Sequence, residues 1–168
     1  MKSIDVANAF INRYGKNNLI TNLKLNKLVF YAQVESLKKH GVPLFSDEIQ
    51  AWEYGPVEPM VYRAFKKYGR SPISAPSSDF EATERSNSIV DDVFCRFSET
   101  TAFDMVTLSH RPDGAWAQVF NPNKDEVISA EIILASSDLE DSSGISFADA
   151  LKEVERKWPN ALKMLEDA

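Results

Sequence analysis

The run TNLKLNKLVFYAQVESLKKHG, residues 21–41, constrains the fold more than any other stretch of the chain. Leu25, Leu28, Val29, Ala32 and Ser36 recur at helical spacing, and Phe30, Val34 and Leu37 widen the apolar stripe. A helix apolar around so much of its circumference must be enclosed by other elements. The spacing therefore predicts a core helix from about Thr21 to His40. Thr21 or Asn22 can cap it, and Lys38, Lys39 and His40 fall in the last turn, where cations suit the helix dipole. Gly41 follows as a left-handed stop, so His40 reads as a helix-end residue rather than a ligand or base. Lys27 lies among apolar neighbours and is expected to snorkel to the surface, with a partner contact as the alternative.

The rest of the chain reads as material packed around that helix. Ser3 is the expected cap of a first helix carrying Ile4, Ala7, Phe10 and Ile11, ended at Gly15. Val42 to Phe45 is extended, Ser46-Asp47 turns, and Ile49 to Tyr54 alternates as a strand. Gly55-Pro56 makes a corner, and Pro59 opens a helix bearing Val61, Tyr62, Ala64, Phe65 and Tyr68. Residues 70–87 are rich in Ser and Pro and read as a loop. An amphipathic helix is predicted around Ile89, Val90, Val93, Phe94 and Phe97, then another capped by Ser98 or Thr100. A turn from Ser109 to Trp116 leads into a short helix through Val119 and Phe120, and Ala130 to Leu134 forms one more. Residues 136–144 are acidic, and Ser146 can cap a last helix with Phe147, Ala150, Leu151, Val154 and Trp158 on one face. The expected architecture is mainly α. It comprises one helical domain over residues 1–135 with a minor β element at 49–54. An acidic linker and an amphipathic C-terminal helix follow over 136–168.

With 168 residues, one core is the expectation. No apolar run reaches the ~18 residues of a membrane-spanning helix. Asp5, Asn8 and Asn12 interrupt the N-terminal stretch, which therefore does not read as a secretory signal. A single cysteine, Cys95, excludes an internal disulfide and fits a cytoplasmic protein. Charge is uneven: residues 1–70 carry 11 Lys/Arg against 6 Asp/Glu, while residues 71–168 carry 8 against 19. The acidic part suits a basic partner, and the overall balance disfavours general nucleic-acid binding. Two histidines and one cysteine do not make a structural zinc set, and no phosphate-binding glycine loop is present, so no metal or cofactor is expected. Cys95 with His110, oriented by Asp104 or Asp113, is the one nucleophile–base pairing the residues permit. A structural role for both, with His110 hydrogen-bonded in a turn, is the competing reading.

Several short pieces then occur in a fixed order. Leu23-Lys24-Leu25-Asn26-Lys27-Leu28-Val29-Phe30-Tyr31-Ala32-Gln33 resembles the L-x-L-x-K-L-x-Y-Y-A-Q opening of the Panacea domain, the SocA-like antitoxin or phage-associated protein family. Gly41-Val42-Pro43-Leu44-Phe45 is similar to its G-x-P-L-F segment. Ile49 to Val57, IQAWEYGPV, is similar to its I-x-A-W-x-Y-G-P-V signature, with Tyr62 in the helix that follows. Leu108-Ser109-His110 with Trp116 resembles its L-T-H…P-W element, with a departure at Arg111 to Ala115, and Ile128 matches a late isoleucine. The resemblance covers about residues 3–135 and implies a non-enzymatic antitoxin that binds and neutralises a cognate toxin protein of a bacterial or phage system. Lys27, Tyr31, Trp52, Tyr54, Gly55, Pro56, Val57, Tyr62, His110 and Trp116 are the motif residues it marks as candidates for partner binding. Two alternatives accompany it. One is a proteolytic or regulatory adaptor of a mobile element, with a protease as second partner. The other is an enzyme using His110. Promoter DNA binding through the basic first part is open but not favoured.

Overall fold

The computed structural model describes residues 1–140. They form helices α1 (Ser3–Tyr14), α2 (Asn22–His40), α3 (Pro59–Phe65), α4 (Glu84–Phe97), α5 (Ala102–Ser109), α6 (Ala115–Val119) and α7 (Ala130–Leu134). Strands β1 (Ile49–Trp52), β2 (Gly55–Val57) and β3 (Glu126–Ile128) make one antiparallel sheet in the order β2-β1-β3. Short 3-10 turns follow α3 at Lys66–Tyr68 and α7 at Ser137–Leu139. The fold is mainly α with a minor β element, as predicted. The predicted last helix from Ser146 lies outside the described residues, and so do residues 141–144 of the acidic stretch before it.

Helix α2 is the axis. Every residue from Lys24 to Leu37 is buried, and α1, α3, α4, α5, α7 and β2 all pack on it. The Thr21 hydroxyl accepts the Lys24 N–H at 3.3 Å to start the helix. Gly41, at φ 67°, ends it in the left-handed region. A helix buried on all sides needs partners for its polar side chains, and here they are backbone groups of neighbouring segments. Gln33 accepts the Leu44 N–H at 2.8 Å and donates to the Phe45 carbonyl at 3.0 Å. Ser36 donates to the Val42 carbonyl at 2.7 Å. The extended GVPLF segment is thus tied to α2 by side chains rather than by strand pairing.

The strand predicted at 49–54 is a hairpin. Trp52 pairs with Gly55, which leaves Glu53-Tyr54 as a two-residue turn, and Gly55-Pro56-Val57 continues as β2. Gly55 has φ +100°, and a Cβ there would lie 2.6 Å from Ser109 Oγ and 2.9 Å from Lys27 Cε. Both the turn and the close approach require glycine. Glu58 then caps α3 by accepting the Met60 and Val61 N–H groups at 3.0 and 2.7 Å. Strand β3 was not predicted. It is three residues long, too short for a period to show, and it pairs Ile128 with Ile49 on the buried face.

Other boundaries shift for capping reasons. Ser3 lies inside α1 rather than capping it, and its N–H is taken by Asp47 at 2.6 Å. Helix α4 starts at Glu84 because Thr83 and Ser86 form a reciprocal cap five residues before the apolar stripe begins. Thr101, not Ser98 or Thr100, caps α5. The predicted domain boundary after residue 135 falls just beyond α7. The turn that follows carries buried Asp138, which accepts from Arg111 at 3.3 Å and from the Ala115 N–H at 2.7 Å.

Candidate functional site

Two buried side chains from different elements hold carbonyls of the β1–β2 hairpin, and a third lies against another. Lys27 on α2 donates from Nζ to the Pro56 carbonyl at 2.9 Å. Trp116 on α6 donates from Nε1 to the Trp52 carbonyl at 2.7 Å. His110, at the end of α5, has Nε2 3.2 Å from the Glu53 carbonyl and Nδ1 2.6 Å from the Val106 carbonyl. Its ring lies 3.8 Å from that of Trp116. The expectation that Lys27 snorkels to the surface is overturned: its exposure is 0%. Gly55 explains the reversal, since without a side chain the hairpin sits directly on the lysine. Next to it, Asn26 accepts the Glu58 N–H at 3.2 Å, so consecutive α2 residues fix the middle of β2 and the start of α3.

Burial governs the charge of this knot. It lowers Lys27 to about 7, and among the described residues no carboxylate pairs with it. Burial also lowers His110 to about 4; the two carbonyls oppose that shift and the Lys27 charge reinforces it. A neutral imidazole has one N–H, and the shorter contact assigns it to Nδ1. His110 thus donates from Nδ1 to the Val106 carbonyl, while its unprotonated Nε2 lies 3.2 Å from the Glu53 carbonyl without a proton to share. Cys95 is exposed on α4. The nucleophile–base pairing weighed from the sequence has neither a ring nitrogen directed at a thiol nor a buried thiol.

On the outer side of the same hairpin is a groove of about 710 Å³. Leu23 and Asn26 of α2, Trp52, Tyr54 and Val57 of the hairpin, and Tyr62 of α3 form its floor and walls. Trp52 and Tyr62 meet edge to face with ring centroids 5.0 Å apart. Lys66 and Arg70 line the groove, and so do Glu53 and Asp125. Asn22 Nδ2 donates to the Tyr62 carbonyl at 3.1 Å and fixes α3 against the start of α2.

The motif residues thus separate into two sets. Lys27, Gly55, Pro56, His110 and Trp116 support the hairpin from inside, and Trp52, Tyr54, Val57 and Tyr62 present the groove outside. Tyr31 belongs to neither: it packs on Phe30 and Phe97, and its hydroxyl is buried with no hydrogen-bond partner among the described residues. Sequence reasoning missed Asn22, Asn26, Lys66 and Arg70. The signal available was spacing, since Asn22 and Asn26 are i, i+4 on an otherwise buried helix and Tyr62, Lys66 and Arg70 repeat every four residues.

The model of the antitoxin SocA-like, Panacea domain family matches residues 25–117, which run from the core of α2 through α6. The chain belongs to that family. Antitoxin SocA of Caulobacter vibrioides (strain NA1000 / CB15N) is 29% identical over 133 residues, covering 69% of this chain and 69% of the relative. No solved structure matches the chain. Among the described residues, no helix is long and apolar enough to cross a membrane.

Proposed function

We propose that this antitoxin-family chain acts by binding a cognate toxin protein directly, with the aromatic groove beside the hairpin as the contact surface. The observation that carries this reading is the placement of Trp52, Tyr54, Val57 and Tyr62. These motif residues are spent on an open groove while their motif neighbours clamp its wall rigidly from behind. Aromatic side chains on a fixed scaffold bury large area at low entropic cost, which is what anchors tight protein contacts. Binding neutralises the toxin by covering its active surface or holding it inactive.

The test is co-expression with the product of the neighbouring reading frame. Growth rescue and a co-purifying complex are expected, and Tyr62→Ala should weaken the complex by at least about tenfold. A toxic neighbour that this chain neither binds nor rescues overturns the reading. Toxin half-life followed in the same strains tests delivery to a protease, which requires degradation to accelerate when the chain is present.

A further inference from the structure

We propose that the groove takes a segment of the partner protein with an apolar anchor side chain followed closely by a carboxylate, the carboxylate lying against Lys66 and Arg70. This deepens the toxin-binding reading and rests on it. The floor sets the anchor: Trp52, Val57 and Tyr62 offer apolar surface, and the polar groups of Asn22 and Asn26 are already engaged with backbone and with each other.

Charge sets the neighbour. Lys66 and Arg70 are exposed, line the groove, and have no carboxylate partner among the described residues. Other cations are met by carboxylates: Arg13 by Asp91, Lys39 by Asp92 and Glu35, Arg96 by Glu35, Arg111 by Asp138. The start of α2 opens on the same groove, and its first turn contains no acidic side chain, so the positive end of that helix adds to the field. Glu53 and Asp125, the groove's own carboxylates, also line a neighbouring pocket that Lys66 and Arg70 do not, which sets them toward the groove's other side, where they repel a second acid. The groove therefore has electrical polarity, and the docked segment has a preferred direction, acidic end at Lys66 and Arg70.

The probe is a random peptide library displayed on phage and selected against the full chain. Enriched peptides should carry Asp or Glu within a few positions of an aromatic or aliphatic residue. The K66E/R70E variant, altered only at exposed positions, should weaken those peptides about tenfold or more and select basic residues in their place. Enrichment without an acidic residue, enrichment unchanged by K66E/R70E, or no enrichment overturns the proposal. Sedimentation showing that the chain pairs with itself through this groove, with K66E/R70E dissociating the pair, also overturns it. Co-expression separates this idea from the one beneath it: rescue by wild type that K66E/R70E leaves intact removes the acidic-segment proposal and keeps toxin binding.

Discussion

Lys27 is a fully buried amine bonded to one carbonyl, and the cost of its charge depends on pH. In the folded chain it titrates near 7, against an ordinary value of 10.5. Between those values the unfolded chain holds the extra proton, so stability rises with pH, by up to about 1.4 kcal/mol per unit. Below pH 7 both states are protonated and the slope vanishes. Urea midpoints of wild type and Lys27→Met at pH 7 and pH 9 should show the wild type gaining on the variant as pH rises. Parallel curves would mean that Lys27 titrates as an exposed lysine does. His110 has the same kind of shift on the acid side: its contribution is lost as pH falls from 6.5 toward 4, where the unfolded imidazole protonates first.

At the scale of elements, α2 organises its neighbours through side-chain bonds to their backbones. Gln33 is the clearest case, since one amide serves both Leu44 and Phe45. Gln33→Met keeps the volume and removes the bonds, leaving buried backbone groups unmet at a cost of about 1–3 kcal/mol. Amide hydrogen exchange should accelerate at Leu44 while Ala51, bonded within the sheet, holds. Unchanged exchange at Leu44 would show that the segment is held by packing of Leu44 and Phe45 alone. The helices and their stops were readable because apolar period and glycine caps are local signals. A strand at 49–54 was readable too, but β2 and β3 were not, since β3 exists only by pairing with β1 across β2 and four intervening helices.

The whole molecule adds two dependences that no single element carries. Asp138 closes the fold by meeting Arg111 and the start of α6. Asp138→Ala should cost about 3–5 kcal/mol, because it strands a buried guanidinium. A chain ending at Ala135 should melt below one ending at Glu140 for the same reason. Equal melting temperatures would make the turn an ornament on the core. Deletions meant to test the tail should therefore begin after Glu140. Charge is the second dependence. Residues 71–168 are acidic overall, while the groove is lined by Lys66 and Arg70 as well as Glu53 and Asp125, and at physiological salt such fields are screened over about 8 Å. Toxin association should slow with added salt, and K66E/R70E should change that slope. Association indifferent to salt would remove steering from the account.

By itself the sequence determined the buried axis, its caps, the mainly helical class and the family, because those depend on residue type and spacing within a few turns. Only the tertiary structure decided what the motif residues do. Lys27 looked like a surface lysine until Gly55 was placed over it, whereas His110 is bonded to backbone as expected, through Nδ1 to the Val106 carbonyl. Burial and hydrogen-bond partners are properties of segments far apart in the chain, here 28 residues from Lys27 to Gly55 and 57 from Glu53 to His110. Spacing cannot report them. The groove follows the same rule: Tyr62, Lys66 and Arg70 form a row in the sequence, and only the hairpin folded against α2 turns that row into a surface that can receive a partner.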